Sequence, residues 1–235
     1  MLKGPFSSLL PNSTAADALL AQAKNLADDL KFAFNTSTGI PSNNLNLGNM
    51  TTDGSTTNGL ATIGSLVLEW THLSDLTGDP SYALLTQKAE SYLLNPKFAP
   101  PYTQPWPGLV GTSVNIDSGL FEDASGGWIG GDDSYYEYLI KMFVYDSSRF
   151  SQYRDSWIQA ADSSIAYLAS HPSSRPDLTF VAAFDGQQLQ YFSEHREYQD
   201  QSILWELNTD VYCSRLLCRR QFPPCRIRPK GAEIH

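Results

Sequence analysis

Charge, cysteine and histidine are all scarce in this chain. Of 235 residues, 17% are Asp, Glu, Lys or Arg, with three cysteines and four histidines. The cysteines, Cys213, Cys218 and Cys225, all fall near the C-terminus and lack the CxxC spacing of a zinc site. No apolar run approaches the roughly 20 residues that cross a bilayer, so no membrane segment is expected. The opening Met1-Leu2-Lys3-Gly4-Pro5 has no extended apolar stretch, so no signal peptide is expected in the chain as it stands. Basic charge is scarce: 16 Lys and Arg face 25 Asp and Glu, a net of −9. Such a chain repels phosphate backbones, which argues against a nucleic-acid partner. What is abundant is apolar: 41% of residues are hydrophobic, enough for a real core in one domain or two small ones.

The charge is unevenly spread. Residues 211–235 carry Arg215, Arg219, Arg220, Arg226, Arg228 and Lys230 against Glu233 alone, which leaves 10 basic and 24 acidic residues in 1–210. An acidic body of net −14 therefore precedes a tail of net +5. That tail reads either as a basic interaction arm or as sequence translated outside the native frame. Three glycosylation triplets begin at Asn12, Asn35 and Asn49 and lean towards the secretory route.

Apolar residues at three- and four-residue steps (Leu19, Ala23, Leu26, Leu30, Ala33) predict a helix over 14–34, capped by Ser13 or Thr14 with Asp17. Ile63, Val67, Trp70 and Leu73 predict a second over 59–77, with Gly78 just past its end. Asp79-Pro80 predicts a fresh start, a cap followed by proline at the first helical position. This third helix carries Leu84, Leu85, Ala89, Tyr92 and Leu93. Asp117-Ser118-Gly119 suits a short hairpin, as does Asp185-Gly186 between 178–184 and 188–192. Between them lie helices over 133–145, with Tyr136, Leu139, Ile140, Phe143 and Val144 on the packing side, and over 150–170. The expected class is all-α with short β-hairpins.

The densest chemistry is Gly130-Gly131-Asp132-Asp133-Ser134-Tyr135-Tyr136-Glu137-Tyr138. Asp133 and Glu137 stand four apart at a helix opening, so their carboxylates share a face. A glycine loop precedes them, and the two tyrosines between them suit stacking on a sugar ring. Asp132 or Asp133 also fits as a plain N-cap and Glu137 as a solvated helix residue. Glu69, inside the apolar Leu66-Val67-Leu68-Glu69-Trp70, is either on the exposed stripe or buried with a partner. His195 follows an expected strand; His72 and His171 read as surface or loop residues without metal spacing.

Several stretches resemble the class I α-1,2-mannosidases of glycoside hydrolase family 47, most closely the filamentous-fungal type. They are Phe34-Asn35-Thr36-Ser37-Thr38-Gly39-Ile40-Pro41, the run from Leu66 to Pro80, the run from Gly131 to Met142, and Ser170 to Phe180. The resemblance extends from about Leu2 to His195. It implies an (αα)7 barrel and inverting hydrolysis of terminal α-1,2-mannose on high-mannose N-glycans. It further implies a Ca2+ that contacts the sugar and residence in the secretory lumen or outside the cell. Inversion needs a carboxylic acid at the leaving oxygen and a carboxylate to activate water. By motif, Asp133 matches one of three catalytic carboxylates. Glu69, Glu137 and His195 match substrate-binding positions, the two acids facing calcium through water. Gly131 stands where narrowly specific relatives carry arginine, which implies a roomier site.

Residues 196–201 depart from the family pattern. The family's other two catalytic glutamates and the threonine that ligates calcium directly have no counterpart, so no metal ligand is assigned. The expectation is a mannosidase truncated at both ends, with 1–195 the central part of an incomplete (αα)7 barrel and 196–235 foreign to the family. Such a piece is expected to expose apolar surface, to be inactive and aggregation-prone alone, and to be a monomer if folded. The alternative is a non-catalytic, lectin-like binder of high-mannose glycans.

Overall fold

Helix α1, Ser13–Leu30, passes directly into a 3-10 turn, Lys31–Phe34. The computed structural model describes residues 13–190 apart from 172, 174 and 175; His195 and the 196–235 tail lie outside the described residues. The packing face of α1 is rotated from the expected stripe. Ala16 and Ala27 are buried, whereas Leu19 and Leu26 are about half exposed. The small alanines allow close approach. They bring α1 and the 3-10 turn against Trp70, Leu73 and Tyr82 in a small second core. Phe34 meets the Trp70 ring edge-on at 5.1 Å.

The expected helix over 59–77 is broken. Leu60–Gly64 (α2) and Val67–Thr77 (α3) are separate, with the break at Ser65 and Leu66. Ile63, Val67, Trp70 and Leu73 are nonetheless all buried, so one apolar stripe survives the break. Gly78 ends α3 at φ 73, a left-handed position that suits glycine. The Asp79 carboxylate then accepts the Ser81 N–H at 2.9 Å and opens α4, Ser81–Leu94. On α4, Ala89 and Leu93 are buried but Leu84 is exposed.

Helix α5, Asp133–Tyr145, falls where periodicity predicts it. Helix α6, Ser151–Ser163, ends in a π turn, Ser164–Leu168, rather than continuing to 170. Helices α3 and α4 form one helical hairpin, α5 and α6 another, and α3 also packs on α5 as α4 does on α6. Tyr138 bonds to Glu69 and Tyr145 to Asp75, so α3 and α5 run in the same direction. The main core lies among α2, α4, α5 and α6. There Tyr136, Leu139, Met142 and Phe121 are fully buried, each such side chain contributing about 2 kcal/mol. Val144, expected on the packing side of α5, is exposed.

Short antiparallel strands fill the joints. Leu45–Asn46 (β1) pairs with Thr51–Thr52 (β2). Thr57–Gly59 (β3) pairs with Ser113–Asn115 (β4), so the predicted local hairpin around Asp117 survives only as a turn with a single bridge, Val114 to Phe121. Ser125–Gly126 (β5) pairs with Ala183–Asp185 (β8), which turns back into Gln188–Gln190 (β9) as the second hairpin predicts. Ala169–Ser170 (β6) pairs with Phe180–Val181 (β7). Among the described residues no helix is long and apolar enough to cross a membrane.

Candidate active site

The glycine loop leaves β5 at Gly127 and closes on α5 through two bonds to one carbonyl. The N–H groups of Asp132 and Asp133 both donate to Ile129 O at 3.0 Å. From the other side, the Ala61 N–H of α2 donates to Gly131 O at 2.9 Å, pinning the loop to α2. Gly131 has φ 102, and a Cβ built there meets nothing within 4 Å. The space beside the start of α5 is therefore open.

Neighbouring aspartates take opposite environments. Asp132 is buried: its Oδ2 lies 3.2 Å from the donating Gly127 N–H and 3.3 Å from the Thr112 hydroxyl, while Oδ1 has no partner. Burial pushes its carboxyl up to about 7. Asp133 is exposed on the first turn of α5, where its Oδ1 accepts the Ser134 N–H at 2.8 Å. The positive end of the helix favours a carboxylate there.

Glu137 follows one turn on, half-buried and paired with Lys141 Nζ at 2.6 Å. Glu69 lies on the exposed face of α3, and its Oε1 accepts the Tyr138 hydroxyl at 2.9 Å. Burial, then the Glu69 carboxylate, pushes the Tyr138 phenol up to about 12, so it remains a donor. Lys141 also sits over the Tyr138 ring at 4.9 Å. Asp133, Glu137 and Glu69 are thus held on the α3–α5 surface, with Tyr138 joining the two helices. His195 lies outside the described residues. His72 is half-buried, its Nδ1 3.1 Å from the Tyr145 hydroxyl, and His171 is exposed, as expected.

One expectation fails. Tyr135 and Tyr136 are almost fully buried, so neither can stack on a sugar. Both point inward because α5 turns its apolar side to the core; the Tyr135 hydroxyl donates to Leu93 O at 3.2 Å. Tyr138 and Lys141 are the residues that the sequence reading missed. Their signal was present in helical spacing, since Lys141 stands four residues after Glu137.

This chain resembles known proteins along most of its length. Residues 2–200 match the family model described as glycosyl hydrolase family 47. The chain belongs to that family. Over 195 residues it is 60% identical to mannosyl-oligosaccharide alpha-1,2-mannosidase 1B of Aspergillus phoenicis, covering 83% of this chain and 38% of the relative. It is 58% identical over 195 residues to mannosyl-oligosaccharide alpha-1,2-mannosidase of Coccidioides posadasii, covering 83% of this chain and 37% of that one. The alpha-1,2-mannosidase from Trichoderma reesei superposes with a TM-score of 0.76 at 53% identity, covering 80% of this chain and 39% of that structure. The family 47 chain described here therefore spans less than two-fifths of the length of these relatives.

Calcium is the ion that the resemblance to family 47 implies. Among the described residues no three His, Cys, Asp or Glu side chains assemble a group that could hold a metal ion. Glu69 and Glu137 are each engaged by a protein donor. The described residues alone do not fit a direct calcium cage.

Proposed function

We propose that these residues form one wall of the mannose site of an inverting α-1,2-mannosidase acting on mannosyl-oligosaccharides, with Asp133 as one of its catalytic carboxylates. The observation that supports this most is the contrast at the start of α5. Asp132 turns into the protein, while Asp133 is presented to solvent beside the open space at Gly131. The positive end of a helix favours a carboxylate, and the carboxylate is the form that activates or orients water. Glu69 and Glu137 supply acceptors for sugar hydroxyls, held by Tyr138 and Lys141. The parallel α3 and α5, each backed by an antiparallel partner, suit two successive pairs of an (αα)7 barrel. Calcium belongs to the reading as an ion facing Glu69 and Glu137 through water. The lumen of the secretory pathway is the compartment that matches a glycan substrate.

The test is a chimera in which residues 2–195 replace the matching stretch of the Trichoderma reesei enzyme. The chimera is expected to release mannose from α-1,2-mannobiose, and Asp133→Asn to reduce that release by about 10²–10⁴-fold. A folded chimera that binds high-mannose glycan by calorimetry but releases no mannose would replace this reading with glycan binding alone.

A further inference from the structure

Asp132 touches no solvent-facing space, so it cannot act on a sugar directly, yet it occupies the joint that carries Asp133. Three elements meet at its carboxyl: the Gly127 N–H from the glycine loop, the Thr112 hydroxyl from the segment before β4, and the first turn of α5. The fit is close. A Cβ built on Gly126 lies 2.9 Å from Asp132 Oδ2, so a side chain there would crowd the carboxyl.

The hydroxyl of Thr112 decides how this joint can be bonded. Its Oγ1 lies 3.0 Å from Ser125 O and 3.3 Å from Asp132 Oδ2, and it has one hydrogen to give. If that hydrogen goes to Ser125 O, the contact with Asp132 is satisfied only when the carboxyl donates. If it goes to Asp132, the Ser125 carbonyl loses it. Oδ1 has no partner that could accept a proton, so a proton on Asp132 belongs on Oδ2, facing Thr112.

The charged and titratable groups around the joint favour the protonated arrangement. Asp133 adjoins it on α5, Asp123 lies across Thr112, and the buried Tyr136 phenol faces it from the next turn of α5. Asp123 is committed to the N–H groups of Thr112 and Ser113, at 2.8 and 3.1 Å. None of these three is a cation that would hold Asp132 as an anion.

We propose that Asp132 is a positioning residue for Asp133, its proton setting the relay Asp132–Thr112–Ser125 and thereby the seating of the glycine loop beneath the first turn of α5. Protonated, Asp132 donates to Thr112, which donates to Ser125 O, and the hydrogen bonds run unbroken from β5 to α5. Ionised, it draws the Thr112 hydrogen away from Ser125 and loosens the joint. The burial that raises this carboxyl to about 7 places the switch near neutrality. The assignment rests on the reading of Asp133 as the sugar-facing carboxylate, but the relay can be tested without a sugar.

The experiment is NMR of the full chain with Asp carboxyl carbons and backbone amides labelled, from about pH 5 to 9, a window that brackets the shifted carboxyl. The expected result is a step near pH 7 in the Asp132 carboxyl, repeated at the Gly127 amide and at the Ser134 amide, which reports the Asp133 carboxylate. Asp132→Asn is expected to flatten both amide profiles. Thr112→Ser, which keeps the hydroxyl, should retain the Ser134 step, and Thr112→Val should abolish it while Asp132 still titrates. A Ser134 amide that stays flat while Asp132 titrates, or an Asp132 midpoint in the ordinary carboxylate range, would overturn the relay. Loss of mannose release from the chimera with the relay intact would instead overturn the functional reading.

Discussion

The two sides of the α3–α6 assembly treat carboxylates in opposite ways. Where α3 meets α5, the acids sit at the surface and are partnered. Tyr138 donates to Glu69 at 2.9 Å, Tyr145 to Asp75 at 2.6 Å, and two Arg149 nitrogens to Asp75 at 3.0 and 2.6 Å. Where α4 meets α5 and α6, Glu90 is fully buried with neither oxygen bonded, facing the phenols of Tyr135 and Tyr153. A charged carboxylate in that interior would cost several kcal/mol, so it is tolerated as the neutral acid. The α3–α5 layer is thus the one whose acids are within reach of solvent, and it is the layer that carries the proposed sugar site.

The largest way to break this comparison is pH. Burial raises Glu90 well above the carboxylate range and Asp132 to about 7. Below about pH 4 both folded and unfolded chains hold these protons, and the contribution to stability is fully present. As pH rises, the unfolded chain releases them first, so stability falls, and for Asp132 the loss is complete near 7. It amounts to on the order of 4 kcal/mol for Asp132, with Glu90 continuing the decline. Asp75 has the opposite sign: the Arg149 guanidinium lowers its carboxyl, so its contribution is present at neutral pH and is lost on acidification. Urea midpoints across a pH series should show the decline, with Asp132→Asn and Glu90→Gln each removing a share. An unchanged slope in Glu90→Gln would mean that this side chain carries no proton cost.

Next in size is packing on the interior side. A Cβ on Gly64 of α2 would lie 2.5 Å from Tyr135 Cδ2, against a ring that is already buried. Gly64→Ala should therefore destabilise by about 1–3 kcal/mol through overpacking. An unchanged melting temperature would show that Tyr135 can move aside. On the surface side, Tyr138→Phe removes one of the bonds that join α3 to α5. Water can replace the donor at Glu69, so the loss should be only about 1 kcal/mol. In the chimera the same change should weaken sugar binding if Glu69 needs that phenol to hold its orientation, which calorimetry would reveal.

The helices that carry this contrast were legible in the sequence, the burial of individual acids was not, and what was missed has local causes. Helix α5 was readable with its bounds because a glycine loop precedes Asp133 and apolar residues recur behind it. The break at Ser65 and Leu66 was hidden because Ile63, Val67 and Trp70 keep one apolar stripe across it. The partner of β4 is Thr57–Gly59, distant in sequence, and no local turn signal can announce such a pairing. Asp132 and Asp133 look alike in the sequence. Only Thr112 and Gly127, brought in by the fold, make one a buried acid and leave the other facing water. The tyrosines failed for a related reason: motif spacing placed them beside the acids, but α5 places them behind.

The smallest expected effect concerns the surface network at the far end of α3. Arg149 reaches Asp75 with both terminal nitrogens and Asp146 through Nε at 2.8 Å, and its guanidinium lies 5.0 Å from the Phe150 ring centre. The side chain is nearly half exposed, so solvent screens each pair. Arg149→Ala should cost about 0.5–1 kcal/mol, and salt should reduce the difference between wild type and variant. The fork geometry separates shape from charge, because lysine keeps the charge but cannot bond Asp75 through two nitrogens. Arg149→Lys should therefore recover only part of the loss. If lysine restores it fully, the α3–α5 layer is held there by net charge, and the bidentate contact adds nothing that the interior side lacks.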